Sequence, residues 1–330
     1  MIQGVKLMSK RPPLSQLPLG RNGLNKNFTV LPQNNALNQS SRLNSKRDSR
    51  NLIGQTQVTF KDITALFSGA SLGVTEAQLQ DYILIKHASD SNHDNNRTVT
   101  FTLKEYMDIR GLKDAKNARN TLKKSLDILT NLQISYSGGN KSNPYNQSFG
   151  KRNIFSGYDY YRGNVSITFT PEMNAIVTQQ SMPMPYHKLL LRLDPKREAT
   201  SFYIFRRLLE NKRMNYNQGR ADRAKISNLL ENCPNLPTYE EVMAGNKNVD
   251  DRIIQPFFKA VERLSEAFDY AYLTSDGHPF NYVSGLNYGT FANGELVITS
   301  WKNYPDSFLN QIGRHKADHR KRITARKQRG

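Results

Sequence analysis

Lys113, Lys116, Asn117, Asn120, Lys123 and Lys124 crowd one short stretch of the chain. Ammonium groups neutralise phosphates, and carboxamides donate and accept at once, as base edges require. On a helix of 3.6 residues per turn these side chains share one side. Ala115, Ala118, Leu122, Leu126 and Leu129 recur at steps of three and four on the other. That pattern predicts a helix over about Asp114–Leu132, apolar inward and cationic outward.

The residues before it would position that helix. Thr102 and Glu105 make a capping-box pair. Leu103, Tyr106 and Ile109 mark the apolar side of a short helix. Gly111 permits a sharp turn into the next one. A strand is expected at Ile134–Ser137, then a Gly/Asn/Ser-rich loop over 138–150, then a strand at Val165–Thr170. Helix, turn, helix, strand, loop, strand is the order of a winged helix. The loop would be the wing, with Lys141, Lys151 and Arg152 as its cations. Upstream, Thr75–Ala88 reads as a helix capped by Thr75, and Thr98–Leu103 as a small strand. Val58–Phe67 begins the folded part.

Beyond a helix at Pro171–Thr178, the stretch Ser181–Lys188 holds Pro183 and Pro185 and reads as a connector. A helix follows at Ser201–Arg213, with Phe202, Phe205, Leu208 and Leu209 inward. Arg206, Arg207, Lys212 and Arg213 are expected on its polar side. Lys225–Asn232 is the next helix, and Thr238 with Glu241 makes a second capping box. A long helix is expected over Val249–Ala267. Ile253, Phe257, Val261, Leu264 and Phe268 form its stripe, and Arg252, Gln255, Lys259 and Arg263 occupy its other faces. Strands at Tyr270–Thr274 and Glu295–Trp301 complete an order of elements like the first.

The 330 residues suffice for two cores. Net charge is +19, which favours a polyanionic partner. Residues 1–50 carry nine Lys/Arg and one Asp, and residues 314–330 carry eight and one. The two ends therefore hold most of the excess, and the body is only mildly basic. The organisation expected is a disordered basic arm over 1–55, units over 56–180 and 189–303, and a basic tail over 304–330. The basic ends should add affinity through phosphate contacts without sequence choice. One cysteine, Cys233, excludes an internal disulfide and fits a reducing, cytoplasmic setting. No apolar run reaches the length of a membrane span, and the N-terminus lacks an apolar signal core.

Chemistry of other kinds finds no support in the residues. There is no Walker A sequence and no GxGxxG. The six histidines include no His-x-His pair, so the metal site of a rolling-circle nuclease is missing. Tyr158, Tyr160 and Tyr161 stand without nearby metal ligands. His315 and His319 sit in a cationic tail without acidic partners. No catalytic residue, metal or cofactor is expected. The fold class is α+β, mostly helical, with two tandem winged-helix domains.

The stretches Thr102–Leu129 and Ile226–Leu264 together resemble plasmid replication initiator proteins of the tandem winged-helix, iteron-binding kind. The resemblance covers about residues 58–301. It implies binding to double-stranded DNA at origin repeats, with recognition helices at Lys113–Asn131 and about Arg252–Phe268. It also implies host replication proteins as partners, and a homodimer that represses its own promoter. A transcriptional regulator on the same scaffold is the competing reading, and a DNA-nicking relaxase the third.

The helical phase itself can be tested. Leu122→Ala should cost about 2–5 kcal/mol of stability, read by denaturant unfolding, because Leu122 faces the expected core. A variant as stable as the parent would mean that the face is wrongly assigned.

Overall fold

The structure is a computed structural model, and it describes residues 24, 26–33, 55–60, 63–68, 72–139, 147–179 and 181–310. In chain order the first elements are β1 (Phe28–Gln33), β2 (Gln55–Phe60), β3 (Ile63–Ser68) and helix α1 (Val74–Ser89). Then come β4 (Thr98–Thr102), α2 (Leu103–Arg110), α3 (Ala115–Thr130), β5 (Gln133–Gly139) and β6 (Gln147–Asn153). Strands β7 (Phe155–Tyr161) and β8 (Asn164–Phe169) follow, then α4 (Pro171–Gln179) and β9 (Met182–His187).

A winged helix is built from α1, β4, α2, α3, β7 and β8. Its three strands lie in the order β4-β8-β7, all antiparallel. Strand β8 alternates, with Val165, Ile167 and Phe169 buried, as expected of a half-buried sheet. Phe101 and Tyr82 meet edge to face at 5.1 Å and tie the sheet to α1. Helix α2 begins at the expected capping box. Thr102 Oγ1 accepts from the Glu105 amide at 3.0 Å, and Glu105 Oε2 accepts from the Thr102 amide at 2.7 Å. It ends at Gly111, whose φ of 67° is the left-handed turn that a side chain would resist.

Several expectations are corrected. The cap of α1 is Gly73, not Thr75. The loop over 138–150 is not the wing of this unit. Strands β5 and β6 pair with each other, and with β2 and β3 they make a separate four-stranded sheet. Strands β5 and β6 are inserted between α3 and β7. The wing is the tight turn joining β7 to β8, where Arg162 and Gly163 have φ of 48° and 83°. Two residues with positive φ give the twist that closes a short hairpin. The stretch over 1–55, expected to lack structure, contains β1, with Phe28 and Leu31 buried. Its partner is β9, in the stretch taken for a connector, with Pro32 opposite Pro183. Prolines are tolerated because, among the described residues, each strand pairs along one edge only.

The second half starts with α5 (Leu189–Arg192) and α6 (Ala199–Met214), then β10 (Arg223–Lys225), α7 (Ile226–Glu231) and α8 (Tyr239–Ala244). A π-helical turn at Asp250–Ile254 runs into α9 (Gln255–Glu262). Pro256 sits in the first turn of α9, where its missing amide costs nothing. The expected helix over Val249–Ala267 is present as the π-helical turn and α9 together but ends at Glu262, and Phe268 begins a strand. Strands β11 (Phe268–Leu273) and β12 (Pro279–Phe280), helix α10 (Tyr288–Asn293) and β13 (Glu295–Trp301) follow. Their sheet has the order β10-β13-β11-β12. Its first three strands repeat the order of the first unit's sheet. Tyr304, Phe308 and Leu309 are buried, so packing continues past 303, where the tail was expected to begin.

The expected polar side of α6 is also corrected. Arg206, Lys212 and Arg213 are buried, and only Arg207 reaches solvent. Lys212 Nζ meets both oxygens of Asp222 at 2.8 Å. Arg213 Nε donates to the Pro183 carbonyl at 2.9 Å, joining α6 to β9.

His187, at the end of β9, is wedged between Phe28 and Phe205, with ring centroids at 4.7 and 5.4 Å. Burial lowers its pKa from 6.5 to about 4. The unfolded chain then takes up a proton that the folded chain refuses. Stability should be level above pH 6.5 for this group and fall as pH drops toward 4, by about 3 kcal/mol in full. Melting temperatures across that range check this, and His187→Gln should flatten the fall.

Candidate nucleic-acid interface

Helix α3 carries the strongest candidate surface. Ala118, Leu122, Leu126 and Leu129 are buried, joined by Ser125, while Ala115 is exposed and lies outside the stripe. Ser125 Oγ donates to Glu76 Oε1 at 2.8 Å, locking α3 against α1. Glu76 Oε2 also accepts from the Gly73 amide at 2.9 Å, so one carboxylate caps α1 and fixes the helix across it. Lys113, Lys116, Asn117, Asn120, Lys123 and Lys124 are all exposed. Lys113 lies in the turn before the helix, because Asp114 is the cap. Asn117 is partly committed there: its amide and its Nδ2 donate to Asp114 at 3.0 and 2.7 Å. Asn120 has no part in the cap.

Arg119 is exposed on the same helix and was not among the residues expected. It stands three after Lys116 and four before Lys123, a spacing that could have found it. From Lys113 to Asn131 there are five Lys/Arg against Asp114 and Asp127.

The wing lies beside this face. Tyr158 on β7 donates to Asp127 Oδ1 on α3 at 2.6 Å, which sets the hairpin against the helix. That hydrogen bond, with burial and the charge of Asp127, pushes the phenol up to about 12. The tip presents Arg162, whose guanidinium stacks over the Tyr161 ring at 5.1 Å. Tyr160 and Tyr161 are exposed, the latter by 67 %. Sequence reasoning missed Arg162 because it placed the wing elsewhere; the Arg-Gly pair between two alternating strands was the available signal.

The other expected cations are less available. Lys141 lies outside the described residues. Lys151 and Arg152 are exposed on β6, and Arg152 Nε donates to Glu172 at 3.3 Å. In the second half Arg252 is exposed, between Asp250 and Asp251 on one side and Ile253 on the other. Lys259 Nζ donates to Gln255 Oε1 at 2.9 Å, Gln255 Nε2 to Tyr282 at 3.4 Å, and Tyr282 to Asp250 at 2.9 Å. Arg263 is paired with Glu198 and, at 2.6 Å, with Glu266. From Asp250 to Arg263 three basic residues meet three acidic ones. Cys233 is a buried thiol. Among the described residues no helix is long and apolar enough to cross a membrane.

Tyr158→Phe removes the link between wing and helix without opening a cavity. It should leave the fold intact and increase hydrogen exchange of the amides of β7 and β8. Unchanged exchange would mean that packing alone holds the hairpin.

The family described as Initiator Replication protein, WH1, matches residues 33–187. No curated protein matches the chain. Among solved structures, domains 2 and 3 of RctB align at 10% identity over 79% of this chain and 98% of that one, with a TM-score of 0.47. A second structure of RctB domains 2–3 gives 11%, 77%, 92% and 0.41. The MSBI1.176 WH1 domain, a replication protein isolated from a multiple sclerosis patient, aligns at 17% over 32% of this chain and 80% of that one, with a TM-score of 0.26. At such scores the assignment rests on the family match, and the resemblance to replication initiators is borne out over that segment. Residues 33–187, just under half of the chain, are thus similar to the WH1 segment of initiator replication proteins.

Proposed function

We propose that the protein binds double-stranded DNA sequence-specifically and initiates replication at repeated sites of a plasmid origin, with no enzymatic step of its own. The observation that carries this reading is the exposed Lys/Arg/Asn face of α3, opposite a buried leucine stripe and beside the Arg162 wing. Helix α3 lies in a major groove, its cations on phosphates and Asn120 on a base edge. Arg162 reaches the flanking backbone or minor groove. The family match over residues 33–187 supports the same role.

The second half acts as a second winged helix. Its support is the shared strand order, β10-β13-β11 against β4-β8-β7, with a helix before the second strand in each. There α9 and the turns at its two ends are the reader, with Arg252, Gln255, Lys259 and Arg263 toward DNA. Two such units call for two adjacent grooves, and hence for direct repeats of a site. Host replication proteins and a second copy of the chain are the further partners of this reading, and repression of its own promoter is the further activity.

Footprinting on the DNA flanking the gene tests it. Protection of an array of direct repeats is the expected result. Protection of one short palindrome at a promoter would favour a regulator. Lys116→Ala and Asn120→Ala should each weaken binding to the protected site by about 1–3 kcal/mol without changing the melting temperature. Full affinity in both variants would remove α3 from the interface.

A further inference from the structure

The short segment 192–198, between α5 and α6, is bonded to the end of α2 and to the residue just past α9. Arg192 Nε donates to the carbonyl of Ile109 at 3.3 Å, at the end of α2, two residues before the Gly111 turn. At the other end Glu198 pairs with Arg263, just past α9. The segment therefore runs from the turn that launches α3 to the far end of the second reader.

Its charges are sorted. Asp194 Oδ1 accepts from the amides of Lys196 and Arg197, both at 2.8 Å, and this pair of bonds holds its carboxyl below the ordinary range. Glu198 Oε2 accepts from the Asp194 amide at 2.7 Å, and its other oxygen takes Arg263. Both acids are thus consumed by backbone amides and by Arg263. Arg192, Lys196 and Arg197 remain exposed on a turn whose shape those bonds fix.

We propose that Arg192, Lys196 and Arg197 form a third DNA contact, a phosphate-binding bridge. It would grip the sugar–phosphate backbone between the two stretches of duplex read by the helices. This rests on the DNA-binding reading above and adds to it a site that neither helix nor wing supplies. A bridge of this kind contacts phosphate alone, so it contributes affinity and register but no base choice.

The test is the full-length protein with Lys196→Ala and Arg197→Ala together, titrated against labelled duplex at several salt concentrations. Two duplexes are used, one with the protected repeats and one of random sequence. Affinity for both should fall by about tenfold at moderate salt, and the slope of log K on log salt should lessen by about two. The preference for the repeats should be unchanged. The exchange Lys196→Arg with Arg197→Lys keeps both charges and should keep affinity and slope, and an unchanged melting temperature in the alanine pair separates phosphate contact from a role in the structure of the turn. Unaltered slopes on both duplexes would overturn the bridge, and so would a change in preference. The two readings fail separately. If the parent shows no preference for any flanking DNA, origin recognition fails, yet the slope on random duplex still decides the bridge.

Discussion

A carboxylate with no access to solvent holds the two halves together. Asp81 in α1 and Arg206 in α6 are 125 residues apart, and both side chains are buried within 1 % of completely. Tyr186 in β9 donates to the same Asp81 oxygen at 2.9 Å, and Glu210 lies 3.5 Å from the Arg206 guanidinium. Burial pushes the Asp81 carboxyl up, and Arg206 and Tyr186 oppose it. Burial works to lower the Arg206 pKa, but the charges of Asp81 and Glu210 outweigh it and hold it above the ordinary value. Such a group is stable only as a set: removing one partner strands a charge, at a cost of about 3–5 kcal/mol. Gln78, one turn earlier on α1, extends the seam by donating to the carbonyls of Leu190 and Leu193 at 2.7 and 2.9 Å. The chain segment that carries Arg192 and Lys196 is thus anchored to the central helix of the first unit.

This arrangement divides the basic residues into two populations. Arg206, Lys212 and Arg213 are spent inside the protein, on Asp81, Asp222 and a backbone carbonyl. The cations of α3 face solvent, and of the two acids among them Asp127 is occupied by Tyr158 and Asp114 caps the helix. Net charge alone does not distinguish these populations. The +19 of the whole chain says that a polyanion is a suitable partner, whereas burial and pairing say which side chains can meet it.

Local rules were legible in the sequence because they act within a few residues. The capping boxes at Thr102 and Thr238 and the leucine stripe of α3 follow from spacings of three or four, and the Gly111 turn from one residue type. What was not legible depends on partners far along the chain. The pairing of Phe28–Gln33 with Met182–His187 gives no local sign, and the prolines in both strands argue against it. Arg206 looked like a surface charge because Asp81 lies on another element. The wing was misplaced because two hairpins follow α3, and a glycine-rich loop is a louder signal than an Arg-Gly turn. On α3 the cationic face was correctly phased, with Arg119 omitted and Ala115 wrongly counted inward.

On the proposed reading, the same pairing rules make the two readers unequal. A phosphate approaching α3 finds Lys116, Lys123 and Lys124 exposed. At α9, Lys259 and Gln255 would first have to leave a chain of hydrogen bonds running to Tyr282 and Asp250. Arg263 would have to leave Glu198 and Glu266. Each bond surrendered offsets one gained, so the same number of DNA contacts yields less net affinity there. Nearby Asp250, Asp251 and Glu262 add repulsion toward phosphate. The first unit would then supply most of the binding free energy. The second, held at a set distance by the Asp81–Arg206 seam, would mainly fix the register of the repeat.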